Sequence, residues 1–232
     1  DLLINAGMPE FAAAARALEP IKPAWNEWTQ GARADLEAWQ RPVEVPGKVN
    51  MSVVMEYLRG RLPRDAIITN GAGNFSLWAH RFYCYGPFRT QLAPTSGAMG
   101  YGVPSAVAAK IVRPDRTVVS FAGDGDFLMT GQELATAAQY DAKVLFIVVN
   151  NGMYGTIRMH QEREYPGRVF GTGLKNPDFA AYARAFGGHG ETVERTEDFA
   201  GAYERAAASG KPALIELRID PDAITPATTL SD

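Results

Sequence analysis

Three apolar runs constrain the fold of this chain most: DAIITN (65–70), RTVVSFAG (116–123) and KVLFIVVNN (143–151). Each is apolar at successive positions rather than alternate ones, as a strand covered on both faces must be. PALIELRI (212–219) is a fourth run of the same kind. Helix-period segments separate them: NMSVVMEYLRGRL (50–62), the small-residue run GYGVPSAVAAKIV (100–112) and GQELATAAQYD (131–141). NPDFAAYARAFGG predicts a helix with Asn176 as N-cap, Pro177 at the first helical position and Gly187 as terminator. TEDFAGAYERAAASG predicts another, capped by Thr196 and ended by Gly210. Apolar strands alternating with helices predict an α/β fold, a parallel sheet with helices on both faces.

Ahead of this pattern, DLLINAG predicts a short strand, and PEFAAAARALEP a helix with Pro9 in its first turn. Residues 20–47 collect Pro20, Pro23, Trp25, Trp28, Trp39 and Pro42, around a possible helix in AWNEWTQGARADLEAW. Residues 1–47 therefore read as the tail of a preceding unit plus a linker, and residues 48–232 as the main domain. DPDAITPATTLSD at the end is expected to be irregular.

The chain has 232 residues and a net charge of -3. That balance argues against a nucleic-acid or anionic-membrane partner. Cys84 is the single cysteine, so an internal disulfide framework is excluded. With no signal-peptide pattern and no apolar stretch near the roughly 20 residues of a membrane span, the expected location is cytoplasmic.

In an open parallel sheet, ligands bind beyond the carboxyl ends of the strands. Two strands deliver oxygen donors to that edge: Asp124 follows TVVSFAG, and KVLFIVVNN ends at Asn150 and Asn151. Alone, a Gly-Asp-Gly or an Asn-Asn-Gly is a common turn. Together, each directly after a buried strand, they form a carboxylate-plus-amide pair. Neither histidine nor cysteine is near in sequence, which disfavours zinc, whereas hard oxygens suit magnesium and a phosphate. Gly123 and Gly125 allow a turn or a close backbone approach, with a helix starting near Thr130. An EF-hand fails, because Leu128 occupies its fifth position. GAGNFS (71–76) is only a near miss to a dinucleotide fingerprint.

The stretch GDGDFLMTGQELATAAQYDAKVLFIVVNNGMYG resembles the Gly-Asp-Gly…Asn-Asn motif of thiamine diphosphate-dependent enzymes. TSGAMGYGVPSAVAAK resembles the acetohydroxyacid synthase, benzoylformate decarboxylase and pyruvate decarboxylase group. The resemblance covers roughly residues 48–220 and points to the group's C-terminal, diphosphate-binding domain. It implies a thiamine diphosphate-binding fold, with thiamine diphosphate and magnesium as cofactors. Metal ligands would be the side chains of Asp124 and Asn151 and the carbonyl of Met153. Gly73, Asn74, Phe75, Gly123, Gly125, Asp126, Gly155 and Thr156 would line the cofactor site. Met99 would wedge between the two cofactor rings, and the Gly97 carbonyl would accept from the pyrimidine amino group. These two are the implied catalytic positions.

The implied reaction is decarboxylation of a 2-oxo acid with transfer of the resulting acyl carbanion equivalent, as in acetolactate synthase. The alternatives are a non-ligating decarboxylase of the benzoylformate type and a non-catalytic or split binding module. Thr156 and Ile157 match positions near the reacting carbon. Ile157 replaces the glutamate of pyruvate decarboxylases, and His160 stands near the tryptophan position of the synthases, so both are candidate substrate contacts. Arg158 would either meet a substrate carboxylate or sit on a solvated helix face. His80 and His189 read as packing or surface residues. The resemblance also implies a pyrimidine-binding N-terminal domain in a neighbouring subunit, a homodimer or homotetramer, and inactivity of this chain alone.

Overall fold

The computed structural model describes residues 3–20 and 22–231. It divides into two compact units, one ending at Trp39 and one starting at Gln40. The first holds α1 (Met8–Arg16) and α2 (Asn26–Trp39), neither with a buried residue. The strand expected in DLLINAG is not present in residues 3–7, and Asp1 and Leu2 lie outside the described residues. A strand needs a neighbour to take its N–H and C=O groups, and the sheet of the second unit includes none from this region. The expected boundary at 47/48 lies within the second unit, where Val43 and Val45 already pack on the core.

The second unit is a six-stranded parallel sheet with helices on both faces. Its strands are β1 (Ile67–Asn70), β2 (Gln91–Leu92), β3 (Val118–Gly123), β4 (Leu145–Asn150), β5 (His189–Val193) and β6 (Ala213–Arg218). They run in the order β2-β1-β3-β4-β6-β5, every pair parallel. Its helices are α3 (Met51–Arg61), α4 (Ser76–Phe82), α5 (Gly102–Val112), α6 (Asp124–Thr130), α7 (Leu134–Gln139), α8 (Gly155–Glu164), α9 (Phe179–Ala185) and α10 (Phe199–Ala208). Residues of α3, α4 and α10 share one apolar core with one side of the sheet, including Met55, Trp78 and Tyr203. Residues of α5, α6, α7 and α9 share a second core on the other side, including Val107, Phe127, Ala137 and Phe179.

This arrangement places the site. The chain leaves β1 towards α4 on one face and leaves β3 towards α6 on the other. Adjacent strands whose connections part in this way open a crevice at their carboxyl ends. The edge strands β2 and β5 were not expected. β2 has two residues, and β5 reads HGETV, with no apolar run to mark it.

Three local readings are corrected. The Gly-Asp-Gly is not a turn ahead of a helix near Thr130, because α6 begins at Asp124 with Gly123 as its cap. Asp178, not Asn176, caps α9, its side chain accepting from the Ala181 amide. Pro177 therefore precedes the cap. Thr196 opens a 3-10 turn before α10, and its hydroxyl instead joins the Lys48 carbonyl and the Asn50 amide. Gly210 does follow α10, at a φ of +65°.

Candidate functional site

A cavity of about 220 Å³ opens at the carboxyl ends of β1, β3 and β4. The loop after β1 brings Gly73, Asn74 and Phe75 to its wall. The loop before α5 brings Gly97 and Met99, and the β3–α6 junction brings Gly123, Asp124, Gly125 and Asp126. The segment after β4 adds Asn151, Met153, Gly155, Thr156 and Ile157. His160 does not line the cavity. It lies on the outer side of α8, with Nδ1 3.0 Å from Arg163 Nη2. Arg158 is paired with Glu162 rather than turned to the cavity. His189 pairs with Glu191 at 2.7 Å, and His80 sits 3.4 Å from Asn70 Oδ1; neither lines the cavity.

The glycines of the motif are required by close approach, not by backbone angle. Gly123 has a φ of -70°, open to any residue. A Cβ there would lie 2.9 Å from the Phe75 ring, and one on Gly125 would collide with the Tyr154 ring. Gly71 covers the Asp126 carboxylate just as tightly.

Asp124 is 3% exposed. Its Oδ1 accepts from the Gly125 amide at 2.9 Å, and its Oδ2 from the Gly152 amide at 2.9 Å and Asn176 Nδ2 at 2.7 Å. Burial pushes its pKa up, while Asn176 and the Gly125 and Gly152 amides pull it back. These donors hold the carboxylate in place in the cavity wall. Asn151 Oδ1 accepts from the Met153 amide at 3.2 Å. A Cβ on Gly155 would lie 2.7 Å from Asn151 Nδ2, so glycine leaves room for that amide. Among the described residues, no three His, Cys, Asp or Glu side chains group as metal ligands. The available donors are instead one carboxylate, one amide oxygen and backbone carbonyls, a hard-oxygen set that fits magnesium.

Asp126 is 2% exposed, and its Oδ1 accepts from the Gly100 amide at 2.6 Å. Its Oδ2 is buried without a hydrogen-bond partner. Burial raises its pKa to about 6, against the opposing pull of the Gly100 amide. Thr130 Oγ1 donates to the Gly100 carbonyl at 2.9 Å. α6 thus grips both backbone groups of Gly100, next to half-buried Met99. Across the cavity, the Asn74 amide donates to Thr156 Oγ1 at 3.0 Å, tying the loop after β1 to α8.

Sequence reasoning missed two parts of the site. Trp78, Ile219, Ala223 and Ile224 form an apolar wall, Ile219 from just past β6 and the last two from the chain's irregular end. Ala223 and Ile224 are buried there, so the segment beyond β6 is irregular, as expected, but packed. Asn176 is the other omission, since Pro177 after it mimics a helix start.

The sequence profile described as "Thiamine pyrophosphate enzyme, C-terminal TPP binding domain" matches residues 71–217. The chain belongs to this family. It is 33% identical over 211 residues to the acetolactate synthase large subunit of Parasynechococcus marenigrum, covering 88% of this chain and 33% of that one. It is 32% identical over 170 residues to the acetolactate synthase isozyme 2 large subunit of Escherichia coli, covering 72% and 31%. The thiamine diphosphate-dependent 4-hydroxybenzoylformate decarboxylase of Rhodococcus jostii superposes with a TM-score of 0.72 at 32% identity, covering 78% of this chain and 34% of that one. The chain thus spans about a third of the length of these relatives. The parallel sheet, the family and thiamine diphosphate as the domain's ligand stand as expected from the sequence motifs.

Proposed function

We propose that this chain is the diphosphate-binding part of a thiamine diphosphate- and magnesium-dependent enzyme that decarboxylates a 2-oxo acid and passes the acyl carbanion equivalent to an acceptor, as acetolactate synthases do. One observation carries the reading. Every residue that the motif resemblance sets against the cofactor, from Gly73 to Thr156, lines one cavity at the crevice between β1, β3 and β4. The similarity to two acetolactate synthases supports the transfer step.

Thiamine diphosphate, when bound, supplies the electron sink for decarboxylation. The chain's own residues bind and orient. Asp124, Asn151 and the Met153 carbonyl would hold magnesium, which anchors the diphosphate. Gly123 and Gly125 keep the crevice floor free of side chains. Met99, steadied through Gly100, would hold the cofactor's rings, with the Gly97 carbonyl as acceptor for the amino group. Ile157, 51% exposed at the cavity's edge, gives the reacting carbon an apolar neighbour with no proton to donate. Residues 1–47 read as the tail of a preceding domain and its linker. A pyrimidine-binding domain in a neighbouring subunit of a cytoplasmic homo-oligomer would complete the site, and without it the chain is inactive.

The likeness to the 4-hydroxybenzoylformate decarboxylase supports a second reading, decarboxylation without an acceptor. Product analysis with one and with two carbonyl substrates separates the two. The cofactor reading is tested by calorimetric titration of the intact protein with thiamine diphosphate, with and without magnesium. Magnesium-dependent binding, lost in Asp124→Ala, is expected. Binding that ignores both magnesium and the substitution would refute it.

A further inference from the structure

Asn176 caps no helix and does not line the cavity, yet its side chain joins the cavity's carboxylate to Asn150 at the end of β4, a bridge that the Gly152 amide also makes. We propose that Asn176 is a positioning residue for Asp124. In this proposal a hydrogen-bonded chain from Glu216 through Asn150 and Asn176 fixes the carboxylate in its metal-binding orientation before magnesium arrives. The inference rests on reading Asp124 as a metal ligand.

The geometry allows Asn176 one orientation. Its Nδ2 donates to Asp124 Oδ2 at 2.7 Å and to Asn150 Oδ1 at 2.8 Å. Both partners are acceptors. Turning the amide over would set its oxygen against two oxygens, so the nitrogen must face them. Its own Oδ1 is buried with no partner among the described residues. Leaving an acceptor unpaired is costly, and the orientation persists because the two donated bonds outweigh that cost.

Asn150 is fixed in the same manner. Its Nδ2 donates to Glu216 Oε1 at 2.6 Å, which leaves Oδ1 for Asn176 and for the Gly152 amide at 3.0 Å. Glu216, on β6 between β4 and the edge strand β5, is 1% exposed. Its Oε2 accepts from Thr192 Oγ1 on β5 at 2.7 Å, and its Oε1 accepts from Arg218 Nε at 3.3 Å. A buried, paired carboxylate thus sets the direction of each amide in turn. The last amide of the chain reaches Asp124 Oδ2, which also accepts from Gly152. Outer partners of this kind hold a ligand's lone pairs where the metal needs them, and their loss typically costs about 10–100-fold in metal affinity.

The test is magnesium titration of the intact protein at saturating thiamine diphosphate, for wild type and Asn176→Ala, with the melting temperature of each measured free of both. The expected result is a magnesium half-saturation raised about 10–100-fold, a melting temperature within a few degrees of wild type, and cofactor binding rescued by excess magnesium. If Asn176→Ala does not fold, Asn176→Ser replaces it, since its shorter side chain does not reach Asp124. A lowered melting temperature with unchanged half-saturation would mean a purely structural role and overturns the inference alone. No magnesium dependence in wild type overturns the cofactor reading and this inference with it.

Discussion

Replacing Asp126 with asparagine should flatten the domain's stability between pH 4 and 7. Burial raises the Asp126 pKa from 3.8 to about 6. The folded state therefore holds a proton that the unfolded chain has already released. Between roughly pH 4 and 6 the native state binds more protons, so stability falls as pH rises through that window. A shift of about two pKa units corresponds to about 3 kcal/mol. About 2 kcal/mol of that lies between pH 4 and 7, since part is already lost at pH 4. The protein at neutral pH carries this cost because Oδ2 is buried beneath Gly71 with no partner.

Asparagine has the same shape and no charge at any pH in this range. Its Oδ1 still accepts from the Gly100 amide, so the grip on the loop carrying Met99 remains. Its Nδ2 takes the unpartnered position, at a cost of about 1–3 kcal/mol for a buried orphan donor. The absolute gain at pH 7 is therefore small, and the slope is the clean readout. The assay is urea denaturation of both proteins, free of magnesium and cofactor, from pH 4 to 7. Subtracting one curve from the other cancels every other titrating group. Asp126→Asn should gain about 2 kcal/mol on wild type as pH rises across this range. Parallel curves would refute the assignment of a buried, proton-holding Asp126.

Gly125→Ala sets a methyl group against the Tyr154 ring and should cost about 1–3 kcal/mol by overpacking; an unchanged denaturation midpoint would show that the ring moves freely. Asp178→Ala removes the cap on the Ala181 amide and should cost about 1 kcal/mol, with magnesium half-saturation unchanged. A shift in half-saturation from this variant would mean that the start of α9 as a whole, rather than Asn176, governs the site.

The central strands were legible because β1, β3, β4 and β6 are covered on both faces and had to be continuously apolar. The edges were not, because β2 is two residues long and β5, HGETV, has a single apolar residue. The DLLINAG strand was expected from apolar composition alone, and among the described residues this stretch joins no strand of the sheet. α6 was missed because Gly-Asp-Gly-Asp is a poor helix former by propensity. Tertiary packing overrides that preference here: Phe127 is fully buried in the second core. The helix that carries it begins as soon as β3 ends.

The same logic divides the site. Asp124 and Asn151 could be read because they directly follow buried strands, and strand ends fix which edge of the sheet a residue occupies. Nothing local marks Asn176 or Glu216. Glu216 sits inside an apolar run, where a lone charge has no meaning until its partners are known. Asn176 precedes a proline, and capping chemistry offers a complete explanation that happens to be wrong. Each is informative only through partners far away in sequence: Thr192 and Asn150 for Glu216, Asp124 and Asn150 for Asn176. Residues that would touch the metal inherit their position from the topology of the sheet. Residues that would orient those ligands inherit theirs from side-chain hydrogen bonds, which become visible only once the strands are set side by side.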